Sequence, residues 1–142
     1  MTAVQERLYD DTQMVYLNDL RLDPKNVRFR HKTSIMSENE MEEWLYNEED
    51  VRVLMKQILR DRRVQQPIYV IEDGNGKYIV KEGNRRTTAL RRIQRELIKG
   101  KIKDFDKDHF DLVPTNILKG NEHEINIFLA QIHVSGAKEW DA

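Results

Sequence analysis

The residues of this chain whose types and spacing could do chemistry lie from Lys81 to Thr88, with the sequence Lys-Glu-Gly-Asn-Arg-Arg-Thr-Thr. A β-rich run ends at Gly83 and a helical pattern begins directly after it. Backbone N–H groups and the positive end of a helix dipole attract anions at such a junction. Arg85 and Arg86 can donate paired hydrogen bonds to phosphate oxygens. The pattern therefore indicates a phosphate site, although a surface helix with two solvated arginines would read the same way.

The residues around this junction also bear on which kind of phosphate site it could be. Thr87 and Thr88 can offer hydroxyls in the first helical turn, and Glu82 is the acidic residue nearest to the glycine. The Gly-x-x-x-x-Gly-Lys-[Ser/Thr] pattern of a Walker P-loop is missing, so the phosphate site would be of another kind.

The elements that must position this junction follow from hydrophobic periodicity and turn residues. Period-two runs predict strands, and Asp73-Gly-Asn-Gly76 between two of them predicts a hairpin. Ser37 followed by Glu40 is a capping box, which predicts the start of a helix. Pro114 favours an edge position for the last strand. The predicted strands are 14–20, 67–71, 77–80 and 111–118, and the predicted helices are 37–46, 49–62, 84–100 and 122–133.

The order β-α-α-β-β-α-β-α predicts an α+β fold, a small mixed sheet with four helices. A length of 142 residues fits one domain, 1–142. The chain ends soon after a predicted helix, with Trp140 close to its last residue. We therefore expect an N-terminal piece of a longer protein whose later part would carry the DNA-binding elements, since no helix-turn-helix pattern is visible here.

The charges are distributed unevenly although the net charge is only −1. Residues 37–50 carry seven acidic side chains and no basic one, while 81–103 carry nine basic and two acidic side chains. The basic block predicts contacts with DNA backbone through Arg91, Arg92 and Arg95, which lie beyond the first helical turn. The alternative is a solvated helix face balanced by the acidic segment, and the acids themselves are expected on a solvated surface.

Composition excludes several classes of function. The chain has no cysteine, which removes disulfides, thiolate metal sites and cysteine nucleophiles. Neither a signal peptide nor an apolar run of membrane-spanning length is present, so a soluble cytoplasmic protein without a membrane partner is expected. Four scattered histidines form no zinc-binding pattern.

Three linked motifs resemble the N-terminal domain of the ParB/sulfiredoxin superfamily. Residues 66–70, Gln-Pro-Ile-Tyr-Val, are similar to its "Gly-x-x-x-Pro-Ile-x-Val" segment, and 83–89 to its "Gly-Glu-Arg-Arg-x-x-Ala" motif. Residues 20–28, Leu-Arg-Leu-Asp-Pro-Lys-Asn-Val-Arg, are similar to the "Asn-Pro-x-x-x-Arg" segment after the opening strand. The order and spacing match, and the resemblance covers about residues 16–118.

The resemblance implies a domain that binds CTP or ATP together with Mg²⁺, in a DNA-associated protein of the plasmid or chromosome partition type. Possible self-association would be controlled by the C-terminal helix. The residues implied for nucleotide and phosphate binding are Gly83, Asn84, Arg85, Arg86, Thr87 and Arg28.

Departures from the family pattern keep other functions open. Asn84 stands where the family has an acidic residue, and Glu82 precedes the glycine as in the "Asp-Gly-His-Arg" form of the kinase-like and nuclease-like branches. The switch motif "Glu-Asn-x-x-Arg" is replaced by Gln131-Ile-His-Val-Ser-Gly136. The alternatives are a nuclease or phosphotransferase with Glu82 as catalytic candidate, a slow NTPase, or a basic binder of nucleic-acid backbone without nucleotide. Nuclease activity is not expected, and the cysteine-dependent sulfiredoxin chemistry is excluded.

Overall fold

A computed structural model describes residues 8–25, 36–48 and 50–141, and for residues 48 and 133–141 it describes the backbone only. It has five strands and four helices in these residues, which confirms the predicted α+β class with a small mixed sheet. The strands are β1 (Gln13–Tyr16), β2 (Leu20–Leu22), β3 (Ile68–Glu72), β4 (Tyr78–Glu82) and β5 (Leu112–Ile117). The helices are α1 (Glu38–Glu48), α2 (Val51–Asp61), α3 (Asn84–Ile98) and α4 (Glu122–Asp141).

The sheet has the order β1-β5-β3-β4-β2 and is curled. β1 and β2 lie at its two ends, yet only the 3-10 helix Leu17–Asp19 joins them. Four chain steps span at most about 14 Å, whereas five flat strands would place the end strands roughly 19 Å apart. The sheet must therefore curl to bring its ends together. The single strand predicted for residues 14–20 was wrong, because the chain turns there from one end of the sheet to the other.

The pairing is mixed as predicted. β1 with β5 and β3 with β4 are antiparallel, while β3 with β5 and β2 with β4 are parallel. Pro114 was expected on an edge strand, but β5 lies between β1 and β3. Proline is tolerated because the ladder with β3 begins at Thr115, the next residue.

The turn and the helix cap that the sequence predicts are both formed. Ser37 and Glu40 exchange side-chain-to-backbone hydrogen bonds of 2.9 and 3.1 Å at the start of α1. In the hairpin, Asp73 Oδ1 accepts the N–H groups of Asn75 and Lys77. These bonds fix where α1 begins and how β3 returns into β4.

The core lies between the sheet and the helix pair α2 and α3. α3 contributes Leu90, Ile93 and Leu97 to it, and β3 contributes Ile68 and Val70, all of them buried. α1 is held by a separate small cluster of Leu22, Met41 and Leu45, against which Trp44 packs. The placement of α3 between sheet and α1 brings its first turn to the end of β4.

α4 continues further than predicted and packs through its first half. Phe128 contacts Tyr69 and Tyr9 edge to face, with ring centroids 5.4 and 5.8 Å away. Tyr46, Trp44 and Tyr69 are partly buried, as expected for residues at the core edge. Within the described residues, no helix combines the length and apolar character needed to cross a membrane.

Candidate nucleotide-binding site

The junction between β4 and α3 requires a glycine. Gly83 has φ +109°, in the region where side chains are strained. A Cβ added there would lie 2.5 Å from Ile68 Cγ2, a side chain that is fully buried in β3. The backbone carbonyl of Gly83 accepts the first helical hydrogen bond of α3 from the Thr87 N–H at 2.9 Å. The helix N-terminus is thereby fixed against the sheet, and its first N–H groups have no intrahelical partner.

Asn84 was predicted to contact phosphate, but its side chain braces the junction. It is 2% exposed. Its Oδ1 accepts the N–H of Asp23 at 3.1 Å, and its Nδ2 donates to the Val80 carbonyl at 3.1 Å. One amide therefore ties the end of β2 to β4 and α3, so Asn84 acts as a positioning residue in this conformation.

Thr87 was likewise expected to offer its hydroxyl to phosphate. The hydroxyl is buried and donates to the Gly83 carbonyl at 2.9 Å. Thr88 is also fully buried, and its Oγ1 has no hydrogen-bond partner within the part of the chain described. In this conformation neither hydroxyl is presented to solvent, because the first turn of α3 is packed rather than exposed.

Arg86 is the arginine whose surroundings suit an anion. Its Nη1 donates to the Gln66 carbonyl at 3.2 Å. Burial lowers the pKa of Arg86, while the negative charge of the neighbouring Glu82 opposes that shift. Glu82 is 5% exposed. A guanidinium held in such a place gains from an added anion because charges interact more strongly away from water.

A cavity of about 210 Å³ opens in front of Arg86. The end of α2 and residues 63–66, which precede β3, form its walls, and three glutamine side chains line it. Its lining residues are Leu54, Gln57, Ile58, Asp61, Arg63, Val64, Gln65, Gln66 and Arg86. Pockets for whole small ligands usually measure about 300 Å³ or more, so this cavity is smaller than such a pocket.

Arg85 and Arg28 are the other two arginines that were predicted to bind phosphate. Arg85 is half-buried and has an interaction partner in the folded domain. Arg28 lies outside the described residues.

A buried ion pair beside the junction was not predicted. Lys81 Nζ donates to Asp23 Oδ2 at 2.9 Å, and the two side chains are 19% and 8% exposed. Asp23 Oδ1 also accepts the Lys25 N–H at 3.0 Å. Lys81 is therefore neutralised by a residue 58 positions away. The sequence predicts a turn at Asp23-Pro24, but nothing in it indicates that Asp23 contacts Lys81.

Arg91, Arg92 and Arg95 were predicted to contact DNA backbone, but each pairs with an acidic residue of α1. Arg95 forms two hydrogen bonds of 2.5 and 2.6 Å with the carboxylate of Glu42. Arg91 contacts Glu38 at 2.8 Å, and Arg92 contacts both Glu42 and Glu43 at 3.1 Å. These pairs match the alternative of a basic face balanced by the acidic segment. DNA binding by the three arginines stays a prediction, and carboxylates of α1 already neutralise their charge in the folded domain.

Glu42 is the centre of this cluster. It was expected on a solvated face but is 3% exposed. Burial raises the pKa of its carboxyl, but the hydrogen bond and charge of Arg95, with the charges of Arg91 and Arg92, outweigh burial and lower it overall. The Arg92 guanidinium also lies over the Tyr46 ring, 4.0 Å from its centroid. The cluster fastens α1 to α3.

Mg²⁺ was expected together with a nucleotide, and the described side chains do not form a metal site by themselves. The described residues contain no group of three or more His, Asp or Glu side chains placed to hold a metal. Mg²⁺ commonly uses one or two carboxylates together with substrate phosphates. Glu82 could serve as that carboxylate, whereas Asp23 is occupied by Lys81.

The sequence profile of the ParB N-terminal domain matches residues 21–112, and the chain belongs to this family. Comparison with curated protein sequences gave no significant match.

Three solved structures are among those similar to this chain. The C-terminally truncated chromosome-partitioning protein ParB from Caulobacter crescentus, complexed with CTP-gamma-S, matches 85% of this chain with a TM-score of 0.51 and 20% identity. Sulfiredoxin from Arabidopsis thaliana matches 84% of this chain and 98% of its own, with a TM-score of 0.45 and 20% identity. SbnI from Staphylococcus aureus matches 87% of this chain and 34% of its own, at 17% identity and a TM-score of 0.43. The chain spans about half, 53%, of the ParB structure.

Proposed function

We propose that this chain is a nucleotide-binding ParB-like domain that takes the triphosphate of CTP or ATP at the junction of β4 and α3. The observation that carries the proposal is the glycine-dependent turn at Gly83. It leads directly into the N-terminus of a 15-residue helix, and Arg86 lines a cavity beside it. A helix N-terminus together with arginines is a common solution for binding phosphate.

Several residues would contribute to phosphate binding, each in a different way. The backbone at Gly83 and the first turn of α3 approach the phosphates, and Arg85 and Arg86 supply positive charge and paired donors. Arg28 would contribute from the segment between β2 and α1, by resemblance. Asn84 and Thr87 hold the turn in place through the hydrogen bonds described above. Mg²⁺, when bound, would neutralise phosphate oxygens, with Glu82 as the nearest protein carboxylate.

The family suggests a wider setting for the domain. The similar ParB structure contains a CTP analogue and belongs to a chromosome-partitioning protein. We propose the same kind of role here, a DNA-associated protein in which nucleotide binding reorganises α4 and controls self-association. Sequence-specific DNA recognition would then reside outside residues 1–142.

A second candidate function is enzymatic. Glu82 is buried beside Arg86 and adjoins the glycine, so its carboxylate could act as a base or assist a metal in a phosphotransferase, a nuclease or a slow NTPase. The described residues around it provide no cluster of several carboxylates, which disfavours a two-metal nuclease.

Thermal melting with CTP, ATP, GTP and UTP, each with and without Mg²⁺, tests the proposed binding. A ligand present at about 100 times its Kd adds roughly 2.7 kcal/mol to the free energy of unfolding. For a domain of this size that raises the Tm by roughly 5 to 10 °C. We expect one triphosphate to give this shift and its monophosphate to give none. No shift with any of the four at millimolar concentration would contradict the proposal.

A further inference from the structure

A group of exposed positive charges lies on and just after α2. Residues 51–63 carry five basic side chains and one acidic side chain, Asp61. Arg52, Lys56, Arg60 and Arg63 are all exposed. On α3, by contrast, Arg91, Arg92 and Arg95 are paired with carboxylates. Folding therefore neutralises the three arginines of α3, whereas the cations of α2 stay exposed.

Three of these cations form one stripe along α2. Arg52, Lys56 and Arg60 are spaced four residues apart, so they lie within a sector of roughly 80° and extend over about 12 Å. The opposite side of the helix holds Val51 and Ile58, which are buried in the core. The stripe consequently faces solvent on a helix that is rigidly packed from behind.

Among the described residues, the contacts of these side chains leave most of their charge available. Arg52 lies over the Tyr46 ring at 5.5 Å, which orients the guanidinium without neutralising it. Arg60 approaches Asp61 at 3.2 Å with 73% of its side chain exposed, and such surface pairs are worth little. Arg63 follows the helix and lines the cavity in front of Arg86.

We propose that this α2 stripe, defined as Arg52, Lys56 and Arg60, binds the sugar-phosphate backbone of double-stranded DNA without reading its sequence. Arginine and lysine on a straight, rigid element suit a polyanion with regularly spaced phosphates. A membrane surface fits less well, because α2 turns its apolar side to the core and exposes only Val53 among its large apolar side chains. The proposal does not depend on nucleotide binding, since none of the three residues lines the cavity.

The test compares two variants with the same change in net charge. The first is the triple variant Arg52→Glu, Lys56→Glu, Arg60→Glu. The matched control is Lys99→Glu, Lys101→Glu, Lys103→Glu, three exposed lysines between α3 and β5. Fluorescence anisotropy with a duplex of random sequence, without nucleotide, measures binding at 50 and 200 mM salt. Thermal melts confirm that each variant folds.

Three phosphate contacts predict a log–log salt slope of about −2.7, or roughly 40-fold weaker binding for wild type at 200 mM than at 50 mM salt. We expect the α2 variant to lose binding and its salt dependence, while the control stays within about threefold of wild type, because only the first removes phosphate contacts. Equal losses in both variants would overturn the proposal, because net charge alone would explain them. Wild type that binds anionic lipid vesicles but not the duplex would also overturn it. If the α2 variant does not fold, Arg60→Ala alone should still weaken binding, and unchanged affinity would contradict the proposal.

Discussion

The side chain of Ile68 occupies the space that any side chain at position 83 would need. The Cγ2 of Ile68 lies 2.5 Å from the place of a Cβ on Gly83. Ile68 is fully buried at the start of β3, which pairs with both β4 and β5, so it has little room to move. The close approach of β3 to the first turn of α3 thus depends on glycine.

Gly83→Ala should therefore destabilise the domain strongly. The unfavourable φ costs about 1–3 kcal/mol, and the clash with Ile68 adds roughly another 1–3 kcal/mol. Gly74→Ala is a matched control, since Gly74 also has a positive φ of +86° but open space around it. Urea unfolding of both variants checks the difference. Equal free energies of unfolding would mean that Ile68 does not restrict the turn.

The hairpin, the caps and the helices could be predicted from local sequence because their causes are local. Asp73 bonds to residues two and four positions away, and Ser37 bonds to Glu40. The split between β1 and β2 could not be read in this way. Residues 14–20 have one continuous β-rich pattern, and the turn inside it follows from closure of the whole sheet.

Phosphate binding by Gly83, Arg85 and Arg86 stays a prediction, but the position of this candidate site at the junction of a strand and a helix was predicted, because the three residues lie within four consecutive positions. The pairing of charges was not, since Arg95 and Glu42 are 53 positions apart and Lys81 and Asp23 are 58 apart. Sequence reveals both charged segments but not which side chains face each other. For that reason the sequence predicts a DNA surface on α3 without indicating that Arg91, Arg92 and Arg95 face the carboxylates of α1.

Glu42→Gln should destabilise the domain at neutral pH by about 3 kcal/mol, because it leaves three arginines without their shared buried carboxylate. Glu43→Gln is the control, because that side chain is 65% exposed and its pair with Arg92 lies at the surface. Its cost should stay below about 1 kcal/mol. Comparable losses in the two variants would contradict the central role of Glu42.

The effect of Glu42→Gln should also depend on pH. The folded state lowers the pKa of Glu42 below its ordinary value of 4.5. The carboxylate therefore stabilises the fold fully above that value, and the stabilisation is lost as pH falls through the lower folded pKa. The difference in free energy of unfolding between wild type and variant should shrink below about pH 4.5. A difference that stays constant from pH 7 to pH 3 would refute this assignment.

Supercoiled plasmid incubated with the protein and Mg²⁺ or Mn²⁺ should remain supercoiled. A two-metal nuclease needs several clustered carboxylates, and near Gly83 the described residues offer Glu82. Agarose gels of wild type and Glu82→Gln provide the measurement. Nicking by wild type that disappears in the variant would favour the enzymatic function.

The affinity of the preferred triphosphate for Arg85→Ala tests the central claim most directly. Losing a charge-assisted bond should cost about 1.5–3 kcal/mol, which weakens the Kd roughly 10- to 100-fold. Arg60→Ala removes an exposed arginine outside the cavity and should leave the Kd within about twofold, as small surface effects do. Isothermal titration calorimetry, with a melt of each variant to confirm folding, makes the comparison. Binding by wild type that Arg85→Ala leaves unchanged, or equal weakening by the two variants, would contradict a phosphate site at the start of α3.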